Sequence, residues 1–149
     1  MRKFIIIAAV IMFGAGAASA QDIVKSKKVP QAVQVQYQLD ASKAAAKKCV
    51  WYKAGDNFIA EYEGVNRKYT EAGSPIWTSQ KVAKDDVDSE VLNAFSKKYG
   101  LDYPYQWAEN VTLATGEKFI FIVGKKGKYN YYFKYNDKKT MVEKIATVK

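Results

Sequence analysis

Two β-rich runs on either side of a glycine-bounded turn constrain the fold of this 149-residue chain more than any other feature. They occupy residues 117–135, and the turn between them is bounded by Gly124 and Gly127. This pattern predicts a β-hairpin. In the second run aromatic residues recur at every other position and therefore share one face of the strand, namely Tyr129, Tyr131, Phe133 and Tyr135. Such a face has to be covered, so we expect helices against it, with Phe58, Phe119 and Phe121 on the same side.

The first twenty residues have the pattern of a secretory signal peptide. Arg2 and Lys3 precede an apolar stretch over residues 4–13, and Ala18-Ser19-Ala20 supplies small residues at a cleavage site. The apolar stretch is shorter than the ~20 residues that span a membrane. We therefore predict cleavage after Ala20, a periplasmic or secreted mature chain without a transmembrane segment, and a flexible lead-in over residues 21–28.

The mature chain is basic and lacks histidine. Without Arg2 and Lys3, 22 of the 24 basic residues remain against 15 acidic ones, a net charge of +7. This charge favours acidic proteins, anionic membrane surfaces or acidic polysaccharides as partners, or serves solubility alone. Nucleic acid is not expected, because the basic residues are scattered and the chain is exported. The lone Cys49 has no partner for an internal disulfide, and burial is favoured over a reactive thiol there.

One helix is clear from the sequence, and a second is ambiguous. Val87, Val91 and Phe95 form an apolar stripe within residues 84–100, with Asp85 or Asp86 able to cap its start. Over residues 31–40 the apolar residues alternate as in a strand, although Pro30 suits the first turn of a helix. Alternating segments predict further strands at 49–53, 58–63, 67–71, 76–82, 105–113 and 140–148.

The two halves of the chain have similar patterns. Val29, Val33 and Tyr37 match the stripe of the clear helix, and Trp51 follows Val29 by 22 residues, much as Trp107 follows Val87 by 20. This match indicates an internal duplication of a helix followed by four strands, and it favours a helix from Pro30 to about Ser42. We predict an α+β fold in which repeats 29–82 and 84–149 form one eight-stranded antiparallel curved sheet. Both helices would lie on one face of that sheet.

Four short segments resemble the PepSY-like proteins. They are the Val29-Pro30-x-x-Val33 start, the Cys49-Val50-Trp51 strand, the alternating Phe58 to Tyr62 strand, and Tyr69 to Trp77 with its central Gly73. That family is common among exported proteins of Bacteroidetes and has the β-lactamase-inhibitor-protein-like fold. The resemblance covers residues 29–144 and implies a binding or inhibitory module, without implying that β-lactamase is its target. The second repeat departs from the pattern, because Lys138-Lys139 stand after Asp137 where the first repeat has its glycine.

The helix-free face of the sheet is the predicted contact surface for an envelope or extracellular protein, of which an acidic one is a candidate. Aromatic and apolar residues rimmed by lysines are typical of interfaces. The residues predicted on this face are Tyr52, Ile59, Ile120, Ile122, Tyr132 and Lys134. Binding of a glycan or small ligand on the same aromatic face is the alternative.

Catalysis is not expected. The sequence has no phosphate-binding loop, nucleophile elbow or Cys–His pair, and the spacing of Glu61, Glu63 and Glu71 does not indicate a glycosidase pair. No cofactor or metal site is predicted either, since the acidic residues lack calcium-loop spacing.

Overall fold

The computed structural model describes residues 22–148 and contains one antiparallel sheet whose strands follow one another in chain order. Each strand pairs with the next, so the sheet is an uninterrupted meander. Its described strands are β1 Asp22–Val24, β2 Val50–Ala54, β3 Asn57–Tyr62, β4 Val65–Thr70, β5 Pro75–Val82, β6 Tyr105–Leu113, β7 Lys118–Lys126, β8 Tyr129–Asn136 and β9 Met141–Val148.

Three α-helices accompany this sheet in the described residues: α1 Gln31–Asp40, α2 Lys43–Lys48 and α3 Ser89–Tyr99. The Asp88 carboxylate accepts hydrogen bonds from the amides of Glu90 and Val91 and so caps α3. The Ser42 hydroxyl accepts one from the amide of Ala45 and caps α2. One-turn 3-10 helices precede α1 at Ser26–Lys28 and α3 at Lys84–Asp86.

The helices pack on one face of the sheet in two clusters. Val33 and Tyr37 of α1 contact a first cluster that includes Trp51, Phe58 and Tyr69. The apolar stripe of α3 contacts a second cluster on β6 to β8, formed with Ala108, Ile122, Phe133 and Tyr135. The pairing of β5 with β6 joins the two halves edge to edge, and its register places both clusters on the same side.

Most predicted elements are confirmed. The β7–β8 hairpin is present, the ambiguous segment is the helix α1, and β6 has its predicted bounds. The turn of the hairpin is Gly127-Lys128 rather than the predicted Gly124 to Gly127, because Gly124 lies within β7 and pairs with Tyr131. The aromatic stripe from Tyr129 to Tyr135 lies on the helix side with Phe58, as predicted.

Three further expectations about the fold were wrong. The described sheet has nine strands rather than eight, because Asp22–Val24 in the predicted lead-in pairs with β2. The helices number three, because α2 was not predicted. Helix α3 begins only after Asp88, because a 3-10 turn and the extended backbone of Val87 separate Asp85 and Asp86 from it. The predicted signal peptide lies outside the described residues.

The α-helices within residues 22–148 have at most 11 residues, and none of them qualifies as a membrane span.

Candidate functional site

The face of the sheet opposite the helices carries a third hydrophobic cluster, which contains no helix residue. We call this side of the sheet the open face. Its side chains come from alternate positions of every strand from β2 to β9, so that partners across adjacent strands lie side by side. The buried members of the cluster are Ile59, Trp77, Val111, Phe119, Phe121, Val123 and Tyr132.

The strand register brings four of the six predicted contact residues together on the open face. Tyr52 of β2 lies opposite Ile59 of β3, and both belong to the open-face cluster or pack against it. Tyr132 of β8 is a buried member of the same cluster. Lys134 lies two residues further along β8 on the same side, with its ammonium over the ring of Phe119.

The other two predicted residues, Ile120 and Ile122, were placed on the wrong face. Both belong to the helix-side cluster with Val91 and Phe95 of α3. Lys126 pairs with Tyr129 across a two-residue turn, so odd-numbered residues of β7 lie opposite even-numbered residues of β8. Shifting the pairing of two strands by one residue moves every side chain of one strand to the other face.

The same register corrects Phe119 and Phe121, which were predicted under the helices. Phe121 pairs with Lys134, and both phenylalanines belong to the open face. Their rings meet edge to face with centroids 5.3 Å apart, and Phe121 meets Tyr132 in the same way at 5.9 Å. Trp107 extends the series to Tyr132 at 6.4 Å. Edge-to-face contacts of this kind add stability to that gained from burial alone. We call the rings of Phe119, Phe121, Tyr132 and Trp107 the aromatic floor.

Lysines stand over this floor. The ammonium of Lys134 lies 4.2 Å from the centroid of the Phe119 ring, and that of Lys81 lies 5.2 Å from the Trp107 ring. Lys68 is half-buried beside Trp77, its partner on β5, and burial lowers its pKa. Within residues 22–148, none of these three ammoniums lies within 4 Å of a carboxylate oxygen. They are therefore available to acidic groups of a ligand.

The open face also contains a buried carboxyl group that the sequence analysis did not identify. Glu109 is 1% exposed, and one of its oxygens accepts a hydrogen bond of 3.0 Å from Nε1 of Trp107. Its other oxygen has no hydrogen-bond partner in the described part of the chain. Burial raises the pKa of Glu109, although the Trp107 bond and the charge of Lys81 act in the opposite direction. Burial, and then the charge of Glu109, raise the pKa of Tyr132.

Glu61, also on the open face, accepts its hydrogen bond from a tyrosine rather than from a tryptophan. It accepts a hydrogen bond of 3.2 Å from the Tyr52 hydroxyl, and Tyr52 has a raised pKa that results first from burial and then from Glu61. Both carboxyl groups thus accept hydrogen bonds from aromatic donors, and in the described residues neither forms a salt bridge within 4 Å. Across residues 22–148, no three or more acidic or cysteine side chains are grouped so that they could hold a metal ion.

Comparison with known proteins shows similarity in fold. No protein-family model matches the chain, and no curated protein sequence does so either. A solved putative periplasmic protein of Bacteroides eggerthii is 17% identical over 79% of this chain and 88% of its own, with a TM-score of 0.67. A DUF2874 family protein of Bacteroides ovatus is 16% identical over 78% of this chain and 86% of its own, with a TM-score of 0.64.

The comparison that identifies the architecture is with a BLIP-like protein of Bacteroides fragilis. It is 11% identical over 80% of this chain and 88% of its own, with a TM-score of 0.61. The chain has a BLIP-like fold. This finding agrees with the fold that the sequence resemblance implies, whereas membership of the PepSY-like family stays a prediction.

Proposed function

We propose that this protein is an exported, non-catalytic module that binds, and in doing so can inhibit, another protein through its open face. The observation that carries the proposal is an aromatic floor beneath unpaired lysines, on the side of the sheet that no described helix contacts. Large aromatic side chains are among the residues that dominate the energetics of protein interfaces. Apart from Trp107, the rings of the floor are themselves buried, so a partner would meet the half-buried residues packed around them and the lysines above them.

The partner that fits this face is an acidic protein. Lys68, Lys81 and Lys134 offer three ammoniums without carboxylate partners, whereas Glu61 and Glu109 already accept hydrogen bonds from Tyr52 and Trp107. Carboxylates of a partner would form ion pairs above the aromatic rings. Because water is partly excluded there, such pairs contribute more than exposed ones do.

Three observations support export and a binding role. The predicted signal peptide ends at Ala20, one protein of similar fold is described as a putative periplasmic protein, and another as BLIP-like.

We further propose that the order helix, four strands, helix, four strands reflects a duplicated PepSY-like repeat. That order is present here as α1 and α2 with β2–β5, then α3 with β6–β9.

Charge reversal on each face tests the proposal. Lys81→Glu and Lys134→Glu alter the open face, and Lys98→Glu is the matched control, because Lys98 stacks on Tyr99 of α3 much as Lys81 stacks on Trp107. The mature wild type and each variant are immobilised, and proteins captured from an envelope extract of the exporting cell are quantified by mass spectrometry. We expect one acidic protein to be retained by the wild type and by Lys98→Glu, but lost about tenfold or more in both open-face variants.

Equal capture by all four proteins would contradict the assignment of the face. Calorimetry with acidic polysaccharide fragments then separates the glycan alternative. A saturable signal that both open-face variants lose, together with unchanged protein capture, would replace a protein partner by a glycan.

A further inference from the structure

A cleft of about 320 Å³ lies on the helix side of the sheet, away from the open face. It is bounded by the corner between α1 and α2 and by the strands β3 to β5. A volume of this size falls at the lower end of the range for small-molecule sites. Its walls include Tyr37, Ala41, Ala45, Tyr62, Val65 and Arg67.

Arg67 is the cationic group of this cleft. It is half-buried on β4, and its Nη1 donates one hydrogen bond of 3.3 Å to the hydroxyl of Thr78 on β5. A guanidinium has five N–H donors in a planar fork that matches a carboxylate. In the part of the chain that the structure describes, Arg67 forms no ion pair within 4 Å. The guanidinium therefore retains donors for an anion.

The neighbouring carboxylates do not neutralise Arg67. Asp40 accepts hydrogen bonds from the Tyr69 hydroxyl at 3.0 Å and from Nε2 of Gln36 at 2.9 Å. Glu63 lies at the exposed edge of the cleft and forms no salt bridge with Arg67 within 4 Å. Neither carboxylate is therefore paired with the guanidinium.

Most of the remaining lining is apolar or aromatic, and the polar side chains of Ser42 and Gln80 complete it. The buried ring of Tyr37 packs edge to face on Trp51 with centroids 5.1 Å apart, so that this wall is firmly held. Ala41 and Ala45 have short side chains, and Val65 adds an apolar surface. A small ligand with a flat apolar body and one anionic group is complementary to such a lining.

We propose that this cleft binds a small organic carboxylate, whose anionic group pairs with Arg67 and whose apolar body lies against Tyr37, Ala41 and Ala45. Bidentate pairing of a guanidinium with a carboxylate is among the strongest hydrogen-bonded arrangements in proteins. The site is independent of the open face, because Arg67 points to the helix side whereas its neighbour Lys68 points to the open face.

The test uses benzoate, its neutral isostere benzamide and inorganic phosphate as probes, each titrated into the ¹⁵N-labelled mature protein and followed by amide chemical shifts. We expect benzoate to saturate and to shift the amides of the cleft. Benzamide and phosphate should bind at least tenfold more weakly. Arg67→Gln should weaken benzoate binding at least tenfold, and Lys68→Gln, which removes the same charge from the open face, should leave it unchanged.

A second variant keeps the test informative if Arg67→Gln alters the fold. Ala41→Leu places a larger side chain in the cleft at the corner between α1 and α2, and it leaves Arg67 unchanged. This variant should also abolish benzoate binding. The proposal is overturned if benzoate fails to saturate, if phosphate binds more tightly than benzoate, or if Ala41→Leu binds benzoate as the wild type does.

Discussion

At the scale of single residues, the burial of Glu109 is the feature least expected from the sequence. It stands between Ala108 and Asn110, where a charged residue suggests a solvent-facing position. In the structure it is buried in the open face, beside Lys81, its partner on β5. The sequence carries no signal for this, because the depth of a side chain on a sheet depends on its neighbours on the adjacent strands rather than on its own segment.

The buried carboxyl predicts an unusual dependence of stability on pH. Its pKa is raised in the folded protein, so the native state holds this proton more tightly than the unfolded chain does. The contribution of Glu109 to the free energy of unfolding is therefore greatest below its ordinary pKa of 4.5, and it falls as the pH rises through the raised value. Glu109→Gln removes this loss while keeping an acceptor for Trp107, and we expect it to stabilise the protein above neutrality.

Urea denaturation at several pH values measures this effect. The advantage of Glu109→Gln over the wild type should shrink as the pH falls towards 4.5. Glu143→Gln is the control, since Glu143 is exposed on the same face, two strands from Phe121. An advantage that does not change with pH, or one that the control shares, would show that burial does not raise the pKa of Glu109.

At the scale of helices and strands, local patterns predicted most elements, but not the relation of one strand to the next. Ile120 and Ile122 were assigned to the open face because the phenylalanines of β7 were grouped with the aromatic stripe of β8 by residue type. The pairing of Lys126 with Tyr129 instead places the phenylalanines of β7 on the open face, and Ile120 and Ile122 on the helix side. The faces of two paired strands can be related only through the turn between them.

Two short elements were missed for different reasons. Helix α2 has a readable signal, because Ser42 can cap a run of good helix formers over residues 43–48. Strand β1 has almost none, since only Ile23 and Val24 are apolar in a polar segment, and the strand exists through its pairing with Tyr52 and its neighbours. Short elements that depend on tertiary pairing are poorly encoded in local sequence.

The contact of α1 with the β4–β5 turn makes a prediction at the same scale. Gly73 has a φ of 87°, and a Cβ there would lie 2.7 Å from the carbonyl oxygen of Ala32. Gly55 has a φ of 61° with nothing within 4 Å of such a Cβ. Both alanine substitutions introduce backbone strain of about 1–3 kcal/mol, but only Gly73→Ala also forces α1 away from the turn. We expect Gly73→Ala to cost roughly 1–3 kcal/mol more than Gly55→Ala.

Thermal and urea unfolding of the two glycine variants compare these costs directly. Equal losses of stability would mean that α1 does not pack closely on the turn. Such a result would also weaken the sequence resemblance that rests on this glycine.

At the scale of the whole molecule, the arrangement of a sheet covered by helices on one side follows from patterns spread along the entire chain. The predicted match between the two halves favours a helix over residues 31–40, whose own pattern is ambiguous, and the structure has the helix α1 there. Four of the six predicted contact residues lie on the open face, because the alternation within each strand is readable even where the register between strands is not. Arg67 and the cleft around it could not be predicted, since they bring together residues that are distant in sequence.

We propose that the partner binds the open face and not the helix side. Site-specific photo-crosslinking in the exporting cell tests it most directly. A benzophenone amino acid replaces Tyr52 on the open face or, as the control, Val35, which is 49% exposed on α1. We expect one crosslinked acidic partner from position 52 and none from position 35. Crosslinks from position 35 alone, or the same partner from both positions, would rule out the open face as the specific binding surface.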